Sequence, residues 1–417
     1  MSVLAVPKGL SAVLAKAPTD VVILSALRTP ICRAYKGQLK DAYPEELLAA
    51  VLGATRERLP ASARGAVDDV GVGVVLSELG GSKAARMALS HVGFEAARTS
   101  LCTVNRACAS SLQAVADAAA RLRTGGATVA AAAGMESMTR NYGSRAVPVD
   151  LWPALRHSPV KDARDCVMPM GLTAETVAAR YRVSRADQDA FAAESHRRAA
   201  AARDAGRFDA ETVPVTTRLR DAAGRERVVT VRRDDGIRDG VSAAGLARLE
   251  PAFSPSGSAT AGNSSQVSDG AAAALLTLRS TAAALGLADR ILGRFVSAAV
   301  AGCAPDEMGV GPAVAIPRLL ARHGLAAADV ARWEINEAFA SQALYCLRAL
   351  GLEPAWLGGR VNPDGGAIAL GHPLGATGAR MTATLVHGLR RGDAGELGVV
   401  SMCVGTGMGM AALFVRE

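Results

Sequence analysis

The 417-residue chain carries 47 Lys+Arg against 39 Asp+Glu, a formal net charge of +8, with hydrophobic residues at 50% and aromatics at 4%. Scattered basic residues with so few aromatics argue against a nucleic-acid platform, and no window approaches the roughly 18 uncharged apolar residues that a membrane-spanning helix needs. The length suits two or three units of about 150 residues, each able to bury its own core, and the positive balance suits anionic partners such as a phosphate-bearing small substrate.

The first twenty residues, MSVLAVPKGLSAVLAKAPTD, hold two lysines and no acid before Asp20. Residues 1–19 read as a disordered tail, with a weak mitochondrial presequence or a trimmed targeting segment as alternatives. Strands are expected at 20–27 (DVVILSAL) and 69–76 (DVGVGVVL), then a polar turn entering the buried Ala-rich helix of TVNRACASSLQAVADAAARL (103–122), then a strand in ATVAAAAGMESM (127–138). Residues 140–265 are more charged and less regular, with a helix in SRADQDAFAAESHRRAAAARDAG and a hairpin in VPVTTRLRDAAGRERVVTVRRDDGI. An excursion this long in a compact protein reads as a lid or binding domain. The earlier order of elements then returns in GRFVSAAVAG (293–302), DVARWEINEAFA (329–340), GGAIALGHPLGATGARMTATLVHGL (365–389) and LGVVSMCVGTG (397–407). This reads as two copies of one α/β unit, at 20–139 (completed by about 266–289) and at 290–417. The terminal LFVRE carries no peroxisomal tripeptide of the Ser-Lys-Leu kind.

Seven cysteines, Cys32, Cys102, Cys108, Cys166, Cys303, Cys346 and Cys403, form no Cys-x-x-Cys pair and lack a companion histidine spacing. That disfavours a disulfide framework and a metal site, and points to a reducing compartment. Cys108 stands where a turn enters a helix, so free N–H groups and the helix dipole are expected to favour its thiolate; without a base it is ordinary packing. Five of the six histidines, His91, His157, His196, His323 and His387, read as ordinary surface or helical residues. His372 differs, because glycines on both sides and Pro373 let its imidazole approach a second group closely, and a Cys/His pair makes a thiolate nucleophile. Cys403, at a strand end before a Gly-rich turn, reads as a second thiol for proton transfer at carbon, with the Gly405 N–H available to an oxyanion. Asn336 ends an apolar strand, where it either fixes a water near a developing negative charge or caps a helix.

These segments resemble the thiolase family. VNRACASSLQA, NEAFA, GGAIALGHPLGATGAR and MCVGTGMG are similar to its nucleophile, water-holding, histidine and second-cysteine segments, in the family's order, and the similarity runs from about Val21 to Phe414. The resemblance implies a duplicated five-layered α/β/α/β/α core with a loop domain over the site, and homodimers or homotetramers. It implies coenzyme A as co-substrate, no permanently bound cofactor, and 3-ketoacyl-CoA and acetyl-CoA as partners. It implies that Cys108 attacks the ketone after His372 takes its proton, that Cys403 protonates the departing acetyl-CoA enolate, and that Asn336 with a water and His372 hold the thioester oxygen. The N–H groups of Cys108 and Gly405 would hold the oxygen on the acylated cysteine. Ser265 would contact the pantetheine arm, with Met170, Phe253, Met308 and Phe339 lining it.

ARDCVMPMGLTAETVA (163–178) is similar to the peroxisomal and glyoxysomal 3-ketoacyl-CoA thiolases, and Pro169 stands where short-chain acetoacetyl-CoA thiolases carry a lid histidine. The compartment implied is the peroxisome or glyoxysome, with a mitochondrion or bacterial cytoplasm as alternatives. The chain departs from the family pattern at Ser111, in place of a common Gly, and in SELGGSKAARMA (77–88), which bears on chain length and dimer contacts. Competing readings are a decarboxylating ketosynthase, against which Cys403 argues, a biosynthetic acetoacetyl-CoA thiolase, and a thiolase-like lipid-binding protein without catalysis.

Overall fold

The computed structural model describes residues 6–392 and 395–417. In chain order its strands are β1 Val21–Arg28, β2 Cys32–Arg33, β3 Val67–Gly73, β4 Ser100–Val104, β5 Val129–Ser137, the hairpin β6 Val215–Arg220 and β7 Glu226–Val231, β8 Ser268–Leu278, β9 Gly293–Gly302, β10 Arg332–Ile335, β11 Leu397–Val404 and β12 Met408–Arg416. The helices that matter for the site are α1 Leu10–Leu14, α2 Pro44–Glu57, α3 Ser82–His91, α4 Ser110–Arg123, α5 Met170–Arg180, α6 Arg185–Asp204, α7 Gly311–His323, α8 Ala340–Ala349 and α9 Leu374–Arg390.

Strand pairing exposes the duplication. In the first half the order β4-β3-β5-β8-β1 has parallel β4/β3 and β3/β5 pairs followed by antiparallel β5/β8 and β8/β1 pairs. In the second, β10/β11 is parallel and β11/β12 and β12/β9 are antiparallel, and a single parallel bridge from Trp333 to Val361 stands where β4 stands in the first. The half-sheets join through a short antiparallel β1/β9 contact, Val21–Ile23 against Gly293–Phe295.

Both faces of each half-sheet are covered, so its strands are apolar on alternate residues for two different cores. On β5, Ala130 and Ala132 face the central layer while Ala131, Ala133 and Met135 face outward; on β12, Met410, Ala412 and Phe414 face the centre and Ala411, Leu413 and Val415 face outward. The central layer is α4 and α9, packed on each other and on strands of both halves, with α2 and α3 outside one half and α7 outside the other. This is the five-layered α/β/α/β/α arrangement. The close approach depends on missing side chains: a Cβ at Gly73, Gly134 or Gly378 would collide with backbone of Ser111, Gly375 or Leu112 respectively.

Residues 6–19 correct the tail reading. Val13 of α1 is buried against the second half, Gly9 N–H donates to His323 O at 2.7 Å, and Arg294 donates to the carbonyls of Ala15 (2.6 Å) and Val13 (2.7 Å). The physical reason is that short carbonyl-rich segments can be tied down by guanidinium donors, which composition does not reveal. His196 and His323 are buried as well, His196 accepting from Arg238 N–H and His323 bonded to Ser297 Oγ at 2.5 Å. All seven cysteines are free, and no described helix is long and apolar enough to cross a membrane.

Candidate active site

The turn before α4 places Cys108. Ala107 adopts φ +42°, an unusual left-handed conformation for a residue with a side chain. The turn is held by Asn105 Oδ1 accepting from Ala107 N–H (3.0 Å) and by Ser110 Oγ, which accepts from Arg106 N–H (3.0 Å) and donates to Ala107 O (2.6 Å). The Cys108 sulfur then faces two backbone N–H groups, its own and that of Gly405. Gly405 lies in the turn between β11 and β12, where Thr406 and Gly407 have φ +71° and +91°, and its α-carbon lies beside Ala107 and Met170.

The expected ready-made thiolate is not what this environment favours. Burial pushes the Cys108 thiol up to about 11, with nearby Glu136 adding to the rise and the two N–H groups opposing it. His372 is pushed down to about 3, first by burial and then by the guanidinium of Arg380. Each group therefore rests neutral, Cys108 as thiol and His372 as imidazole, because desolvation is the largest influence on both.

His372 is held at both nitrogens. Nδ1 lies 2.6 Å from Thr377 Oγ1 and Nε2 lies 3.4 Å from Asn336 Nδ2. The tautomer that satisfies both contacts carries its proton on Nδ1, donated to Thr377 Oγ1, and has the unprotonated Nε2 accept from the Asn336 amide at the long distance of 3.4 Å. The Asn336 amide, 1% exposed, keeps Oδ1 without a protein partner among the described residues. Asn336 sits immediately after β10 and its N–H donates to Ser401 O, which fixes it beside β11.

Cys403 is fully buried on β11 and its thiol is pushed well up, by burial first and then by the proximity of Cys108. It shares an apolar cluster with Met308, Phe339 and Ala174, against which Met170 packs. Phe253, 42% exposed, meets Phe339 edge-on at 5.9 Å between ring centres. Ser265 is half-buried and its N–H donates to Ala338 O at 2.9 Å. The structure thus brings together Cys108, Gly405 and Cys403 from the two halves with Met170 from the inserted segment, and joins His372 to Asn336.

Residue patterns alone missed the supports. Glu136 accepts from Val75, Leu76 and Gly375 N–H groups at 3.1–3.2 Å, tying the ends of β3 and β5 to the start of α9; burial raises its carboxyl to about 7. Glu337 accepts from Ser195 Oγ (2.6 Å), Asn362 Nδ2 (2.8 Å) and Ile368 N–H (3.3 Å), locking the loop that leads to His372. The only local signal for either was an acid inside an apolar run, and the partners of Glu337 are as far away as Ser195.

Two family descriptions, "Thiolase, N-terminal domain" and "Thiolase, C-terminal domain", match residues 21–280 and 289–416. The chain belongs to the thiolase family. It is 50% identical over 396 residues to the peroxisomal 3-ketoacyl-CoA thiolase B of Rattus norvegicus, covering 95% of this chain and 91% of that protein. Its fold superposes on the dimeric peroxisomal thiolase of Saccharomyces cerevisiae with a TM-score of 0.88 at 41% identity, covering 98% and 100% of the two chains. The Bacillus anthracis acetyl-CoA acetyltransferase is also similar, with a TM-score of 0.83 at 35% identity over 97% and 100%.

Proposed function

We propose that this thiolase cleaves 3-ketoacyl-CoA with CoA, giving acetyl-CoA and an acyl-CoA two carbons shorter, by a ping-pong reaction through acylated Cys108. The observation that carries the reading is that the Cys108 sulfur accepts from the Gly405 N–H and lies near a second sulfur, Cys403, which is buried among Met and Phe side chains.

In the proposed cycle His372 Nε2 takes the Cys108 proton as the sulfur bonds to the ketone carbon. The bond between that carbon and its neighbour breaks, its electron pair passes to the departing carbon, and Cys403 supplies the proton that completes acetyl-CoA. Asn336, with a water, and His372 steady the thioester oxygen while it carries enolate charge. The N–H groups of Cys108 and Gly405 hold the oxygen on the acylated cysteine. The thiol of incoming CoA then attacks the acyl-Cys108 and restores the cysteine. Because thiol and imidazole both start neutral, the charge separation is confined to the moment of attack.

Coenzyme A enters as co-substrate and no permanently bound cofactor takes part. The pantetheine arm would run past Ser265, with Met170, Phe253, Met308 and Phe339 beside it. The relatives named as peroxisomal 3-ketoacyl-CoA thiolases, and Pro169 at the start of α5, favour the degradative reaction over acetoacetyl-CoA synthesis. They also favour the setting of peroxisomal β-oxidation. A homodimer is the expected assembly, since β4 leaves a free sheet edge and Leu79 and Met87 beside it are 73% and 72% exposed. Steady-state thiolysis of a long-chain 3-ketoacyl-CoA against acetoacetyl-CoA tests the reading: a kcat/KM at least about tenfold higher for the long chain is expected, and turnover of acetoacetyl-CoA alone would move the enzyme to the short-chain type.

A further inference from the structure

Beyond Ile23, β1 and β9 part, and the seam between the two half-sheets opens into a crevice of about 830 Å³. Its floor is the free edge of β1, Leu24–Leu27, and its walls come from the end of α9, the segment after α6 and the stretch leading into β9. The crevice is therefore built from both halves and the insertion, and α9, which begins beside His372, reaches it only after a run of about 25 Å.

The lining is strongly biased in charge. Arg58, Arg207, Arg290, Arg390 and Arg391 border it, with Asp289 as the lining carboxylate among the described residues. Asp364 behind the wall binds Arg207 (2.9 Å) and Arg391 (2.6 Å) and also Arg332, so phosphate contacts fall to the other three arginines. In the floor, Ser25 is 3% exposed and its hydroxyl has no hydrogen-bond partner among the described residues. Its neighbour Ala26 is anchored by its carbonyl to His387 Nε2 at 2.9 Å. A buried hydroxyl without a partner among the described residues, in a crevice bordered by five arginines and lined also by Leu24, Leu27 and Leu292, has the chemistry of a phosphate site with room for an attached apolar or aromatic body.

We propose that this seam crevice binds a nucleotide-sized phosphorylated anion at a site separate from the acyl-transfer centre. Phosphate oxygens are held by Arg58, Arg290 and Arg390, and Ser25 donates from the floor.

Calorimetric titration of ADP, and of inorganic pyrophosphate as the headgroup alone, into the full chain tests this. Saturable binding of both is expected, weakened about tenfold or more in the exposed double variant R290E/R390E. Ser25→Ala should weaken it about threefold, and ADP should not compete with CoA in initial-rate thiolysis. The double variant should keep the wild-type kcat, which also verifies its fold. Absence of saturable binding up to about 1 mM, equal affinity in wild type and R290E/R390E, or competition between ADP and CoA would each overturn the proposal.

Discussion

Burial sets the protonation of Cys108 and His372, and their chemistry follows from it. A thiol raised to about 11 is protonated at neutral pH, and an imidazole lowered to about 3 is unprotonated there. Alkylation of Cys108 in the free enzyme should therefore climb with pH across the neutral range and beyond, about tenfold per unit below its pKa. A plateau at neutral pH, read from iodoacetamide kinetics with mass-spectrometric site assignment, would mean a standing thiolate–imidazolium pair. The same environments bear on folding. Unfolded histidine takes a proton below about 6.5 whereas His372 does so only near 3, so its neutral burial costs stability progressively as pH falls through that window. The two sulfurs should separate by experiment. Cys108→Ser should abolish the covalent acyl-enzyme seen by mass spectrometry, whereas Cys403→Ala should still be acylated from acyl-CoA but fail to exchange the α-protons of acetyl-CoA with solvent.

At the level of elements, the site depends on how closely α4 and α9 cross the ends of β3 and β5. Gly134 is the tightest point, where an added Cβ would meet the Gly375 carbonyl and the Ser111 side chain. Gly134→Ala should destabilise the fold by about 1–3 kcal/mol and shift the start of α9, carrying His372 and Thr377 with it. Thermal unfolding would register the first effect. A fall in kcat larger than the fraction unfolded explains would register the second, and unchanged kcat and melting temperature would remove the glycine crossing as a requirement. Glu136 and Glu337 belong to this scale as well, since each satisfies the backbone or side-chain donors of loops that carry site residues. An acid in a run such as AAAAGMESM is visible in the sequence, but the N–H groups it serves are not.

For the whole molecule, Arg28 joins the first half to the inserted domain. It is 1% exposed, bonded to Glu211 at 2.6 Å and to both oxygens of Asp234 at 2.7 and 2.9 Å. Arg28→Met would leave two buried carboxylates without their cation and should cost about 3–5 kcal/mol. Limited proteolysis should then cut first within 205–240, and an unaltered cleavage pattern and melting temperature would count against this joint. The repeated order of strands and helices, and the segments around Cys108, Asn336, His372 and Cys403, were legible because period-2 apolar runs, Ala-rich helices and glycine-flanked polar residues are local signals. The docking of residues 6–19, the burial of His196 and His323, and the neutral states of Cys108 and of His372 were not. Sequence alone determined the duplicated α/β plan and the segments from which the proposed chemistry is argued. Only the tertiary structure decided that Cys108 lies near Gly405 and Cys403, that His372 meets Asn336, and which charge states Cys108 and His372 hold, because desolvation and partner geometry depend on residues hundreds of positions apart.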